Sequence, residues 1–124
     1  MDKELFDFVA AKAEEIGAAP SASEATKKAV KDFQDAIAAG ADQDEAAKKF
    51  VDAINEHHTT IDGVIGFMQT DVAKQIYGEE GAAQQLAHEK ERKAKGAVWC
   101  DCAACRPTHE LLTKLGVEKP DVYI

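Results

Sequence analysis

Aromatic residues are scarce in this chain, with five Phe, two Tyr and one Trp in 124 positions. Long runs of β-branched residues are missing as well, so the material from which sheets are built is thin. No apolar run approaches the roughly 18 residues that a membrane span needs. Basic charge is outnumbered, 15 Lys and Arg against 23 Asp and Glu, for a formal net charge of −8. Such a surface repels phosphate backbones and anionic lipid, which excludes nucleic acid and membrane as expected partners. The opening MDKELFDFVA carries neither the basic region nor the apolar stretch of a signal peptide. The expected location is therefore cytoplasmic, where thiols stay reduced.

Several catalytic and binding signatures are also missing. There is no Walker loop, no G-x-G-x-x-G and no G-x-S-x-G. No Glu-x-x-His occurs, so a four-helix di-iron site of the ferritin kind cannot be built. No spacing identifies a nucleophile with its base, and the chain does not read as an enzyme. Cysteine is absent from the first 99 residues and the last 19; all three stand at 100, 102 and 105. They are too close together to staple a fold, so a structural disulfide framework is not expected.

What the chain does have is alanine and helical periodicity. Hydrophobic residues reach 45%, much of it Ala, the strongest helix former. Leu5, Phe8, Val9, Ala13 and Ile16 share one face of a first helix, which GAAPSAS ends. Ser21 and Glu24 have capping-box spacing for a second, whose apolar face runs from Ala22 to Ile37 before Gly40. Asp42 caps a third, lined by Ala47, Phe50, Val51 and Ile54. Residues 59–78 form two short helices or one long helix broken near 70, where Thr70-Asp71 offers a fresh start. The segment from Glu79 to Gly96 is acidic at its start and basic at its end, as the helix dipole favours. Its HEKERKAK run reads as a solvated face with pairs such as Glu89–Lys93 and Glu91–Lys95. A short helix, PTHELLTKLG, follows the cysteines. The expectation is an all-α bundle of about five to six helices, a single domain over 1–124, with a C-terminal cysteine-rich turn in a thiol-rich segment at 96–110.

C-x-C-x-x-C supplies three soft donors, suited to zinc or iron, and a tetrahedral site needs a fourth. His88 is the first choice. From His88 to Lys95 a helix climbs about 10 Å, and residues 96–100, extended, return roughly 16 Å. With Gly96 reversing the chain, Cys100 can come back beside His88. His109 is the alternative fourth ligand, four residues after Cys105, although Pro107 between them distorts a helix unless it lies in the first turn. A water or Asp101 is a further possibility. Glu56-His57-His58 is set aside, because neighbouring residues on a helix point about 100° apart and histidines at a helix C-terminus suit its dipole. Trp99 either shields the thiols or simply fills core space.

The favoured function is a small protein binding a soft metal ion, zinc before iron, through Cys100, Cys102, Cys105 and His88, in a structural or sensory role. A dithiol redox or sensor module using Cys102 and Cys105 is the first alternative, though no βαβ pattern surrounds the pair. An interaction protein with inert, buried cysteines is the second. A protein partner or a homo-oligomer is possible and unspecified.

The segment HEKERKAKGAVWCDCAAC resembles a group of small bacterial all-helical proteins with a Cys-Asp-Cys-x-x-Cys motif, and the opening helix, AAPSASEATKKA and IDGVIGF are similar too. Such proteins are often labelled chaperones of the ninety-kilodalton heat-shock class. That chaperone is a far longer ATPase with a nucleotide-binding domain, so the resemblance implies the helical fold and a histidine ahead of the cysteines (here His88, Cys100, Cys102 and Cys105) but no activity.

Overall fold

The structure, a computed structural model, describes residues 2–122. It is all-α, with seven helices among the described residues: α1 Lys3–Ala18, α2 Glu24–Ala38, α3 Gln43–Glu56, α4 Ile61–Phe67, α5 Asp71–Tyr77, α6 Glu79–Ala94 and α7 Cys105–Lys114. The count exceeds the expected five to six because residues 59–78 form two helices, each with its own cap. Thr60 Oγ1 accepts from Gly63 N–H, and Thr70 Oγ1 accepts from Ala73 N–H. Among the described residues, no helix is long and apolar enough to cross a membrane.

The chain divides into two compact units, residues 1–58 with 102–119 and residues 59–101 with 120–124. The first holds α1, α2, α3 and α7. Its core is Phe6, Val9, Ala13 and Ile16 from α1, Val30 and Phe33 from α2, Ala46, Ala47, Phe50 and Ile54 from α3, and Leu111 and Leu112 from α7. Phe33 and Phe50 stack with ring centres 5.1 Å apart. The α1 stripe is Phe6-Val9-Ala13-Ile16 rather than one that includes Leu5 and Phe8. Those two are half-buried flanks, and the Lys12 and Lys114 ammoniums lie over the Phe8 ring. Gly17 lets α1 approach α2 closely, since a Cβ there would lie 2.8 Å from Val30 Cγ1.

The N-cap of α2 is Ser23, not Ser21; its Oγ accepts from Thr26 N–H. Ser21 is used elsewhere, as described below.

The second unit holds α4, α5 and α6. Its buried apolar residues are mostly small or single, Ile61, Val64, Met68, Ala73, Ala82 and Ala97. The buried face of α6 is ionic instead. Glu89 and Arg92 are both 0% exposed, so the expected solvated Glu89–Lys93 pair does not form. Arg92 donates to Glu89 Oε2 (2.7 Å), to the Trp99 and Val122 carbonyls (2.8 and 2.9 Å) and to Asp121 Oδ2 (3.3 Å). Lys93 pairs with Asp62 instead, while Glu91–Lys95 forms as expected.

Candidate metal centre

The cysteine segment is positioned by turns on both sides. Gly96, at φ 99, ends α6 in the left-handed region, and Ala97 N–H returns to the Arg92 carbonyl. The chain then runs back beside residues 59–61. Ile61 N–H bonds the Val98 carbonyl, Thr60 and Trp99 form an antiparallel bridge, and Cys100 N–H bonds the Thr59 carbonyl at 3.0 Å. Trp99 is half-buried, and its N–H and that of Val98 are held by the Asp121 carboxylate. Those backbone donors and Arg92 keep Asp121 below the usual carboxylate range although burial opposes them.

Five residues after Cys100, the chain enters α7. Pro107 lies in the first turn, where its missing N–H costs nothing. Cys105 and His109 therefore sit one helical turn apart. Ser21 links this corner. Its hydroxyl donates to Cys102 Sγ at 3.2 Å and accepts from Ala104 N–H at 3.1 Å. Cys105 N–H also reaches Cys102 Sγ, at 3.4 Å.

Within this continuous stretch the sulfurs of Cys100, Cys102 and Cys105 all lie within 4.8 Å of one another, and none is in a disulfide. Cys100 and Cys105 are buried and Cys102 is half-buried. Tetrahedral zinc–thiolate bonds of about 2.3 Å set sulfurs about 3.8 Å apart, so small side-chain rotations suffice to gather the three around one ion. The trio could hold a metal.

The imidazoles lie as follows. His88 Nε2 is 2.8 Å from Asp101 Oδ2, and His88, Glu89 and Asp101 form a second group whose ligand atoms lie within 4.8 Å of one another. This group also could hold a metal ion, although the Arg92 guanidinium already brings positive charge to both carboxylates. Burial and a hydrogen bond with Asp101 push Glu89 up to about 7, against Arg92. Burial opposes ionisation of Asp101 too, but its hydrogen bonds with Glu89 and His88 and the Arg92 charge hold it low. His109 is buried, with Nδ1 2.7 Å from Glu118 Oε1 and Nε2 3.2 Å from Thr113 Oγ1. Among the described residues no histidine nitrogen joins the three sulfurs in one group of mutually close atoms.

Two participants escaped sequence reasoning. Ser21 has the look of a helix cap, and nothing in its spacing points 81 residues ahead. His58, set aside as a dipole partner at a helix end, has a side chain 0% exposed and Nδ1 2.7 Å from Glu118 Oε2. Burial pushes its imidazole below the ordinary histidine range, with Glu118 opposing. The only sequence signal was a histidine directly beyond an amphipathic helix.

No family model, curated protein or solved structure matches this chain.

Proposed function

We propose that this chain is a metal-binding protein rather than an enzyme, taking one soft ion, zinc before iron, on the thiolates of Cys100, Cys102 and Cys105 in a reducing compartment such as the cytoplasm. The observation that carries the reading is the convergence of three undisulfided sulfurs within 4.8 Å. The chemistry of the donors selects the ion, since thiolates favour zinc and iron over magnesium or calcium. The hydrogen bonds from Ser21 and Cys105 to Cys102 Sγ favour its thiolate, the form that ligates. A closed site needs a fourth donor. His88, the donor expected from the sequence, has its Nε2 turned to Asp101 and is not grouped with the sulfurs.

The apolar core of the first unit does not depend on the ion. Removing the metal is therefore expected to loosen the end of α6 and the start of α7 without collapsing the helices. Complete unfolding by a chelator, seen in circular dichroism, would overturn that role.

The same hydrogen bonds at Cys102 support a second reading, a reversible Cys102–Cys105 dithiol. Elemental analysis of untagged protein purified without chelator, with thiol titration before and after chelation, separates these readings. One equivalent of metal with masked thiols supports the metal centre. No metal with fast thiols supports the dithiol, and no metal with slow thiols leaves inert cysteines.

A further inference from the structure

The imidazole of His58 is buried in the first unit. His58 lies just past the end of α3 and its ring is out of contact with solvent. The 2.7 Å contact of Nδ1 with Glu118 Oε2 takes the Nδ1 proton in the neutral ring and places the lone pair on Nε2, at the opposite edge. A carboxylate behind an imidazole is how proteins fix the tautomer and direction of a metal-ligating histidine. Three observations relate this ring to the cysteine segment, though its nitrogens lie outside the 4.8 Å group of sulfurs. Its neighbour Thr59 accepts the N–H of Cys100 at 3.0 Å. A Cys102 thiolate would favour the protonated ring, a small effect beside burial and Glu118. His109, one turn along α7 from Cys105, has its ring centre 6.1 Å from that of His58.

We propose that His58 Nε2 is the fourth ligand, completing a Cys3His centre with Cys100, Cys102 and Cys105, and that Glu118 is its positioning carboxylate. The assignment rests on the three-thiolate reading above. The other imidazoles suit the position less well. Both ring nitrogens of His109 are engaged, by Glu118 and by Thr113, and His109 shares the Glu118 carboxylate with His58, holding it in place. His88 has its Nε2 engaged by Asp101 and groups with Glu89 and Asp101 rather than with the sulfurs. Loading draws the His58 ring and the sulfurs together.

Cobalt(II), a spectroscopic stand-in for zinc, is titrated anaerobically into the reduced full-length protein and into His58→Ala, Glu118→Gln and His88→Ala. Wild type and His88→Ala are expected to give the same intense tetrahedral ligand-field bands. Glu118→Gln should bind roughly 10–100-fold more weakly, as for loss of an orienting partner. His58→Ala should lose more affinity than that, with bands shifted by the change of donor. Absence of cobalt–thiolate bands in wild type overturns the three-thiolate reading and this one with it. Unchanged binding by His58→Ala, or loss in His88→Ala alone, overturns only the His58 assignment. Should His58→Ala fail to fold, NMR of cadmium-loaded, nitrogen-labelled wild type decides. Coupling of cadmium to His58 Nε2 is expected, and coupling to another histidine or to none overturns the assignment.

Discussion

In the first unit two phenylalanines, Phe33 and Phe50, stack at the centre. In the second, a fully buried arginine sits among the carboxylates of Glu89, Asp101 and Asp121. The two buried stripes share one spacing. Phe6, Val9, Ala13 and Ile16 on α1 follow i, i+3, i+7, i+10; on α6 the buried Ala82, Glu89 and Arg92 take i, i+7 and i+10, with half-buried Gln85 at i+3. A helix's inward face is thus set by its period, and what that face is made of decides how the unit is held. Apolar burial is non-directional, about 1.5–3 kcal/mol for each large side chain, and forgives small shifts. A buried ion network depends on every partner being in place, because removing one strands the rest.

The ionic unit should be most sensitive at Arg92. Arg92→Ala leaves three carboxylates facing one another and should cost about 3–5 kcal/mol, measured by urea unfolding, with faster hydrogen exchange along α6 and residues 97–101. A loss of under about 1 kcal/mol, typical of exposed pairs, would show that the network is no core at all. Next is Gly17→Ala, whose new methyl would meet Val30 Cγ1 at 2.8 Å. Overpacking is expected to cost about 1–3 kcal/mol, outweighing the gain of up to about 1 kcal/mol in helix propensity. In a Val30→Ala background that penalty should vanish.

A pH series sharpens the contrast, because the two units should respond with opposite sign. Glu89 is raised from 4.5 to about 7 by burial and by Asp101. Its stabilisation of the folded state is full below about pH 4.5 and is lost as pH rises through 7. Glu89→Gln should flatten that decline. His58 is lowered from 6.5 by burial, so its contribution is present above pH 6.5 and is lost as pH falls. Protection factors measured from pH 4.5 to 8 in α6 and α3 should therefore diverge, and parallel slopes would contradict this. The smallest effect is Ile54→Val, about 0.5–1.5 kcal/mol, read as a shift in denaturation midpoint with an unchanged slope.

The first unit was largely legible. Val9, Ala13, Ile16, Phe50 and Ile54 sit where periodicity placed them, and Asp42 caps α3. Charges misled in the second unit, because a run such as HEKERKAK has the same composition whether water or Arg92's partners surround it. The cue was available, since α6 has almost no apolar stripe and must bury something else against α4 and α5. At the candidate site the cysteines were evident from their clustering, and the reversal at Gly96 was anticipated. What came back opposite His88, however, is Asp101. The roles of Ser21, His58 and Glu118 arise from chain crossings of 60 to 83 residues, which no local pattern encodes.

The pairing of Thr60 with Trp99 has a topological consequence. An antiparallel bridge holds two backbones about 5 Å apart, so the excursion from 59 to 101 departs and returns at one doorway. A short graft could replace it, with the chain trimmed after Lys119 because Asp121 belongs to the excised part. The remaining four helices, α1, α2, α3 and α7, would keep every residue of their apolar centre. Such a miniature would retain Cys102, Cys105, His58 and Glu118 while giving up one sulfur, and so offers a minimal scaffold for asking how many donors the corner needs.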